Sequence, residues 1–114
     1  MINKKSINRV ILVGNVGKVP EIRYTQLGRP VAVFSLATHE LKKGADKDAP
    51  EHTEWHNIIT WDRVASFVEE HVKVGQLLCI EGHLRTRKWT SKDGASLSKT
   101  EIVANSVVPL DWRA

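Results

Sequence analysis

One change of hydrophobic period limits what this chain can become. Between positions 9 and 108 the apolar residues mostly alternate with polar ones or form short unbroken runs, both strand patterns. Only after Trp61 does the spacing switch. Val64, Phe67, Val68 and Val72 recur three and four apart, the repeat of one helix face. Asp62 stands where it would cap that helix and Gly75 where it would end it. The β-rich segments are 9–14, 20–25, 31–38, 54–61, 76–90 and 100–108. Turn signals separate them at Gly14-Asn15-Val16-Gly17, Leu27-Gly28-Arg29-Pro30 and Asp93-Gly94. If 20–25 and 31–38 form one strand bent near Gly28, the chain has five strands, with its helix between the third and fourth. An open five-stranded sheet leaves two edges exposed, and closure removes them. The expected fold is therefore all-β, a small five-stranded barrel, with Gly82 at a bulge or sharp bend of the fourth strand.

A length of 114 residues supports one domain, and 41% hydrophobic with 26% charged residues is ordinary for a globular fold. No apolar run approaches the ~20 residues of a membrane span. Lys4 and Lys5 are not followed by the apolar stretch of a secretory signal. Cys79 is the single cysteine, so no internal disulfide forms, and a cytoplasmic setting fits. The formal charge of +4 admits a polyanionic partner without requiring one. Positions 41–53 are polar, carry Gly44 and Pro50, and read as a long loop between paired strands; such length usually serves a role.

Arg85-Thr86-Arg87-Lys88-Trp89 continues the fourth strand, so Arg85, Arg87 and Trp89 project from one face. Two guanidiniums and an indole suit a chain of phosphates and bases, the cations neutralising the backbone and the ring offering a stacking surface. A solvated basic strand end, with Trp89 covering the core edge, accounts for the segment equally well. Trp55 and Trp61, six apart on the third strand, also share a face. A single Trp more often serves a core; three on neighbouring strands beside two arginines favour the stacking reading. Lys42, Lys43 and Lys47 in the loop, Arg63 and Lys73 beside the helix, and Arg23 and Arg29 are each, taken singly, ordinary surface charges.

Catalytic patterns are absent from the sequence. Histidines 39, 52, 56, 71 and 83 lack metal-ligand spacing, and neither HExxH nor CxxC occurs. Gly14-Asn15-Val16-Gly17-Lys18 has two residues between its glycines where a phosphate-binding loop needs four, and Val19 stands in place of Ser or Thr. No cofactor and no metal are expected.

Four ordered motifs carry a resemblance: Arg9-Val10-Ile11-Leu12-Val13-Gly14-Asn15-Val16-Gly17, Pro20-Glu21-Ile22-Arg23-Tyr24, Thr53-Glu54-Trp55-His56, and Ile80-Glu81-Gly82-His83-Leu84-Arg85-Thr86-Arg87-Lys88-Trp89. Over about 7–108 the chain resembles the DNA-binding domain of bacterial single-stranded DNA-binding proteins. The resemblance implies a five-stranded oligonucleotide-binding (OB-fold) barrel, a homo-oligomer (tetramer favoured over dimer), and single-stranded DNA as partner, bound by base stacking without sequence preference. It further implies a cytoplasmic, nucleoid-associated, non-enzymatic protein of replication, recombination and repair. Trp55, Trp61 and Trp89 would stack on bases, Trp61 standing where the family commonly has Phe. Arg85, Arg87, Lys88, Arg63, Lys73, Lys42 and Lys43 would contact phosphates, and His56 would support subunit association. A further Trp common at the start of the long loop is replaced by Leu41 and Lys42. The chain ends at Pro109-Leu110-Asp111-Trp112-Arg113-Ala114 without the linker and acidic tip usual in cellular members, which suggests a plasmid, phage or mobile-element form or a trimmed chain. Rival readings are a primosome accessory protein acting mainly through protein contacts, a nuclease, and an RNA-binding barrel of the cold-shock kind.

Overall fold

The computed structural model describes residues 2–3, 5–40 and 52–110, with side chains for 5–40 and 52–110. Elements run β1 (Ile2–Asn3), β2 (Ser6–Ile7), β3 (Val10–Val16), β4 (Glu21–Tyr24), β5 (Pro30–Glu40), β6 (His52–Trp61), α1 (Asp62–His71), β7 (Leu77–Thr90) and β8 (Ser96–Pro109). β1 and β2 form a small two-stranded ladder. The other six strands make one sheet in the order β3-β7-β8-β6-β5-β4, and a further pairing of β3 with β5 (Asn15 opposite Ala37, Val16 opposite Leu36) closes it into a ring. All its pairings are antiparallel except β6 with β8.

The strand count departs from the expected five. Residues 20–25 and 31–38 are not one bent strand but a hairpin, with Glu21 opposite Val33 and Tyr24 opposite Pro30. The Thr25 backbone N–H donates to the Arg29 carbonyl at 2.9 Å, and the Arg29 N–H to Thr25 Oγ1 at 3.0 Å. Gly28 adopts φ +83, the left-handed conformation this turn needs. β3 also outruns its expected end at Gly14 and pairs through Val16.

Strand alternation sends one set of side chains inward. Val16, Ala32, Phe34, Leu36, Ile58, Leu78, Ile80, Ile102 and Ala104 fill the ring, and Ala65, Val68 and Val72 bring α1 onto the same core. Leu36 and Ile58 are wholly buried, so truncating either to alanine should cost about 2–5 kcal/mol, measurable by chemical denaturation.

Asp62 does not cap α1. The N-cap is Trp61, in extended conformation and without a side-chain capping bond, and Asp62 is the first helical residue with φ +54. That left-handed step turns the chain from β6 into α1 within one residue, a conformation aspartate tolerates better than most. The helix stops at His71, where the Val72 N–H still donates to the Val68 carbonyl, and Gly75 lies in the turn beyond.

Gly82 lies at the expected irregularity: the β7–β8 register slips between Glu81 and Gly82. A Cβ there would sit 2.0 Å from the Val103 carbonyl oxygen. Past it, β7 and β8 run out as a two-stranded ribbon, exposed from Arg85 through Thr90, to a tight turn in which the Gly94 N–H donates to the Ser91 carbonyl.

Candidate nucleic-acid interface

Residues opposite one another in a ladder share a face. β8 places Glu101 opposite Arg85, Lys99 opposite Arg87 and Leu97 opposite Trp89. The parallel pairing of Ile59 with Val103 brings the outward residues of β6, including Trp55 and Trp61, onto that same side. A groove of about 160 Å³ runs between them, lined by Ile59, Trp61, Arg85, Arg87, Glu101 and Val103. One outer face thus gathers all three tryptophans and two of the arginines singled out in the sequence.

Trp55 is 56% exposed and Trp89 44%, while Trp61 is half-buried. Trp55 lies beside Gly17, Lys18 and Ser35. A Cβ on residue 17 would fall 2.3 Å from Trp55 Cζ3, so the bare glycine backbone leaves room for the indole. Gly17→Ala should tilt that ring and shift the intrinsic tryptophan emission while leaving the far-ultraviolet circular dichroism spectrum intact.

Two arginines lie over indoles. The Arg29 guanidinium carbon stands 5.0 Å from the Trp61 ring centre, and that of Arg87 stands 5.5 Å from Trp89. Each is tied to a carboxylate. Arg29 Nε and Nη2 donate to Asp62 Oδ1 and Oδ2 at 2.9 and 2.8 Å, and Arg87 Nε donates to Glu101 Oε1. Glu101 is only 4% exposed and Arg87 supplies its ion pair. Arg85 has no carboxylate partner among the described residues.

The bond from Arg29 holds the Asp62 carboxyl below the usual range, and Asp62 in turn raises the Arg29 guanidinium. A depressed carboxylate pKa stabilises the fold above its unfolded value of 3.8, and that contribution is lost as pH falls through the lower folded value. Asp62→Asn should therefore remove a part of the acid-side loss of stability below pH 4, read from thermal melts at pH 2–6.

Other expected contacts are not brought together. Lys88 alternates with Arg87 and Trp89 and projects from the opposite face of the ribbon. Arg63 lies in the first turn of α1, two residues past Trp61, whereas Lys73 lies past its far end, about 15 Å of helix away. His56 is half-buried, one ring nitrogen 2.9 Å from Thr38 Oγ1. Lys42, Lys43, Lys47 and Trp112 lie outside the described residues.

Comparison with known proteins decides the family. A model of the single-strand binding protein family matches residues 7–110. This chain belongs to that family. A single-stranded DNA-binding protein of Xanthomonas axonopodis pv. citri is 38% identical over 109 residues, 96% of this chain. The chain spans 61% of that relative's length. Among solved structures, a chain of the Plasmodium falciparum SSB complex with ssDNA superposes with a TM-score of 0.82 at 32% identity, covering 96% of this chain and all of that one.

Within the family, three residues of the face were not anticipated. Glu101 is visible in hindsight, because it and Arg85 stand eight residues on either side of Asp93, near the hairpin turn. Arg29 carries no local signal, since it reaches Trp61 through a contact remote in sequence, and Lys18 lies beside Trp55 only once the sheet has folded.

Among the described residues no helix is long and apolar enough to cross a membrane, and no three His, Cys, Asp or Glu side chains converge to hold a metal.

Proposed function

We propose that the chain binds and coats single-stranded DNA with little sequence preference, as a non-enzymatic protein of replication, recombination and repair. The observation that carries this is the outer sheet face on which Trp55, Trp61 and Trp89 stand with Arg85 and Arg87. Stacking uses the flat surface that every base has, so affinity does not depend on base identity. Phosphate contact falls to Arg85, with Lys18 beside Trp55 and Arg63 at the start of α1 as further cations; Lys88 and Lys73 would serve a strand that wraps past this face. The complex with ssDNA formed by the Plasmodium relative supports the same reading.

The ring β3-β5-β6-β8-β7 is read as a five-stranded oligonucleotide-binding barrel, with β4 an appended hairpin strand. A homo-oligomer, a tetramer rather than a dimer, is also proposed. Exposed Val13 and Val108 flank Cys79 across β3, β7 and β8, and Ile11 extends the patch. Among the described residues, 10–14 of β3 have β7 on one side only, so a second copy can add its own β3 about a two-fold axis. The resemblance alone supports a subunit contact for His56. Val13→Lys should lower the mass measured by light scattering; an unchanged mass places the contact elsewhere.

Competition binding tests the function. Oligo-dT and mixed-sequence single strands should compete within a few-fold of one another, and duplex DNA should compete poorly. Equal competition by duplex, or DNA cleavage with magnesium, contradicts the proposal.

A further inference from the structure

Trp61 and Trp89 share an arrangement. Each has an arginine lying over its ring, and each arginine is bonded to a carboxylate: Arg29 to Asp62, and Arg87 to Glu101. The pairs come from unrelated parts of the fold, a hairpin end meeting the start of α1 and the base of the β7–β8 ribbon. Glu101 makes the second one telling. A carboxylate with 4% exposure on a face meant for polyanions is costly to bury and repels phosphate, unless its task is to hold a cation.

We infer that Arg29 and Arg87 are positioning residues for Trp61 and Trp89, not phosphate contacts, and that Asp62 and Glu101 lock them there. Each guanidinium covers one side of its indole, and the indole offers the other side to a base. The charge of each arginine is already balanced by its carboxylate, so it releases no counterion when the strand arrives. Arg85, on the same strand face as Arg87, stands opposite Glu101 in the ladder but is bonded to no carboxylate among the described residues, and it is the phosphate partner. This assignment rests on the single-strand reading above and revises one part of the expected division of labour, in which Arg85 and Arg87 were equivalent.

Salt dependence separates the two roles. Each phosphate neutralised on a single strand contributes about −0.7 to the slope of log K against log salt. Removing Arg87 alone strands a buried carboxylate and endangers the fold, so the pair is removed together. Full-chain variants are titrated with oligo-dT from 50 to 400 mM NaCl. R85Q should flatten the slope by about 0.7. R87Q/E101Q and R29Q/D62N should leave the slope unchanged and lower affinity about two- to fivefold through loss of the cation–ring contact. E101Q alone, which keeps Arg87 but releases its charge, should steepen the slope by up to about 0.7. Equal flattening by R85Q and R87Q/E101Q, or an unchanged slope in E101Q, overturns the assignment while leaving single-strand binding in place. Wild-type protein that fails to bind oligo-dT at 50 mM NaCl overturns the binding reading and this assignment with it.

Discussion

Trp55→Ala is expected to weaken oligo-dT binding by about 1–3 kcal/mol, roughly five- to 150-fold, with the melting temperature almost unchanged. The two effects separate because the indole is 56% exposed and sits against the edge of the fold, at Gly17, Lys18 and Ser35, rather than in the core. Exposed substitutions of this kind shift stability by about half a kcal/mol or less. Trp89→Ala should behave alike, because that ring stands on a ribbon whose tip contributes nothing to the core cluster. Trp61→Ala should differ. Its ring is half-buried and lies beneath Arg29, so both affinity and stability should fall. Fluorescence anisotropy with labelled oligo-dT and thermal melts on the same samples distinguish the three. Unchanged affinity in Trp55→Ala and Trp89→Ala together would remove stacking from the account.

Gly82→Ala should be the most damaging of the conservative substitutions on the sheet. The added methyl would meet the Val103 carbonyl oxygen at 2.0 Å and the Ala104 Cα at 2.9 Å, both backbone atoms that no side-chain rotation can relieve. The β7–β8 ladder must open there, at a cost of about 1–3 kcal/mol or more. For a domain of this size the melting temperature should drop by on the order of 5–15 °C. The slip at Glu81 and Gly82 also fixes the parity of everything beyond it. A register moved by one residue exchanges the faces of a strand, sending Lys88 to the groove side and Arg85, Arg87 and Trp89 away from it. Gly82→Ala should therefore lose strand binding even at temperatures where it remains folded. A variant with wild-type melting and wild-type affinity would contradict this role for the bulge.

Much of the architecture was legible because it is written in local period. The switch after Trp61 places the helix, and alternation through Trp55 and Trp61 and through Arg85, Arg87 and Trp89 sets those side chains on outward positions. What failed was set by contacts distant in sequence or by hydrogen bonds inside a turn. Residues 20–25 and 31–38 read as one bent strand, but Thr25 and Arg29 close a hairpin between them. Asp62 has the composition of a cap, yet Arg29, 33 residues earlier, takes its carboxylate. Lys88, a phosphate contact implied by the resemblance, stands on the other face of the ribbon by the same alternation that aligned Arg85 with Trp89. Glu101 reads as one charge in a strand. Its burial becomes visible only when the hairpin is folded about Asp93 and the glutamate, opposite Arg85 in the ladder, pairs with Arg87 across the ribbon.

The most direct test of the stacking face is intrinsic tryptophan fluorescence during titration with oligo-dT at low and high salt. Bases lying on the indoles should quench the emission strongly and saturably, the midpoint should move to higher DNA concentration as salt rises, and the quenching at saturation should shrink in both Trp55→Ala and Trp89→Ala. Binding confirmed by anisotropy but without any quenching would mean that DNA reaches the protein somewhere other than this face, and would contradict the account.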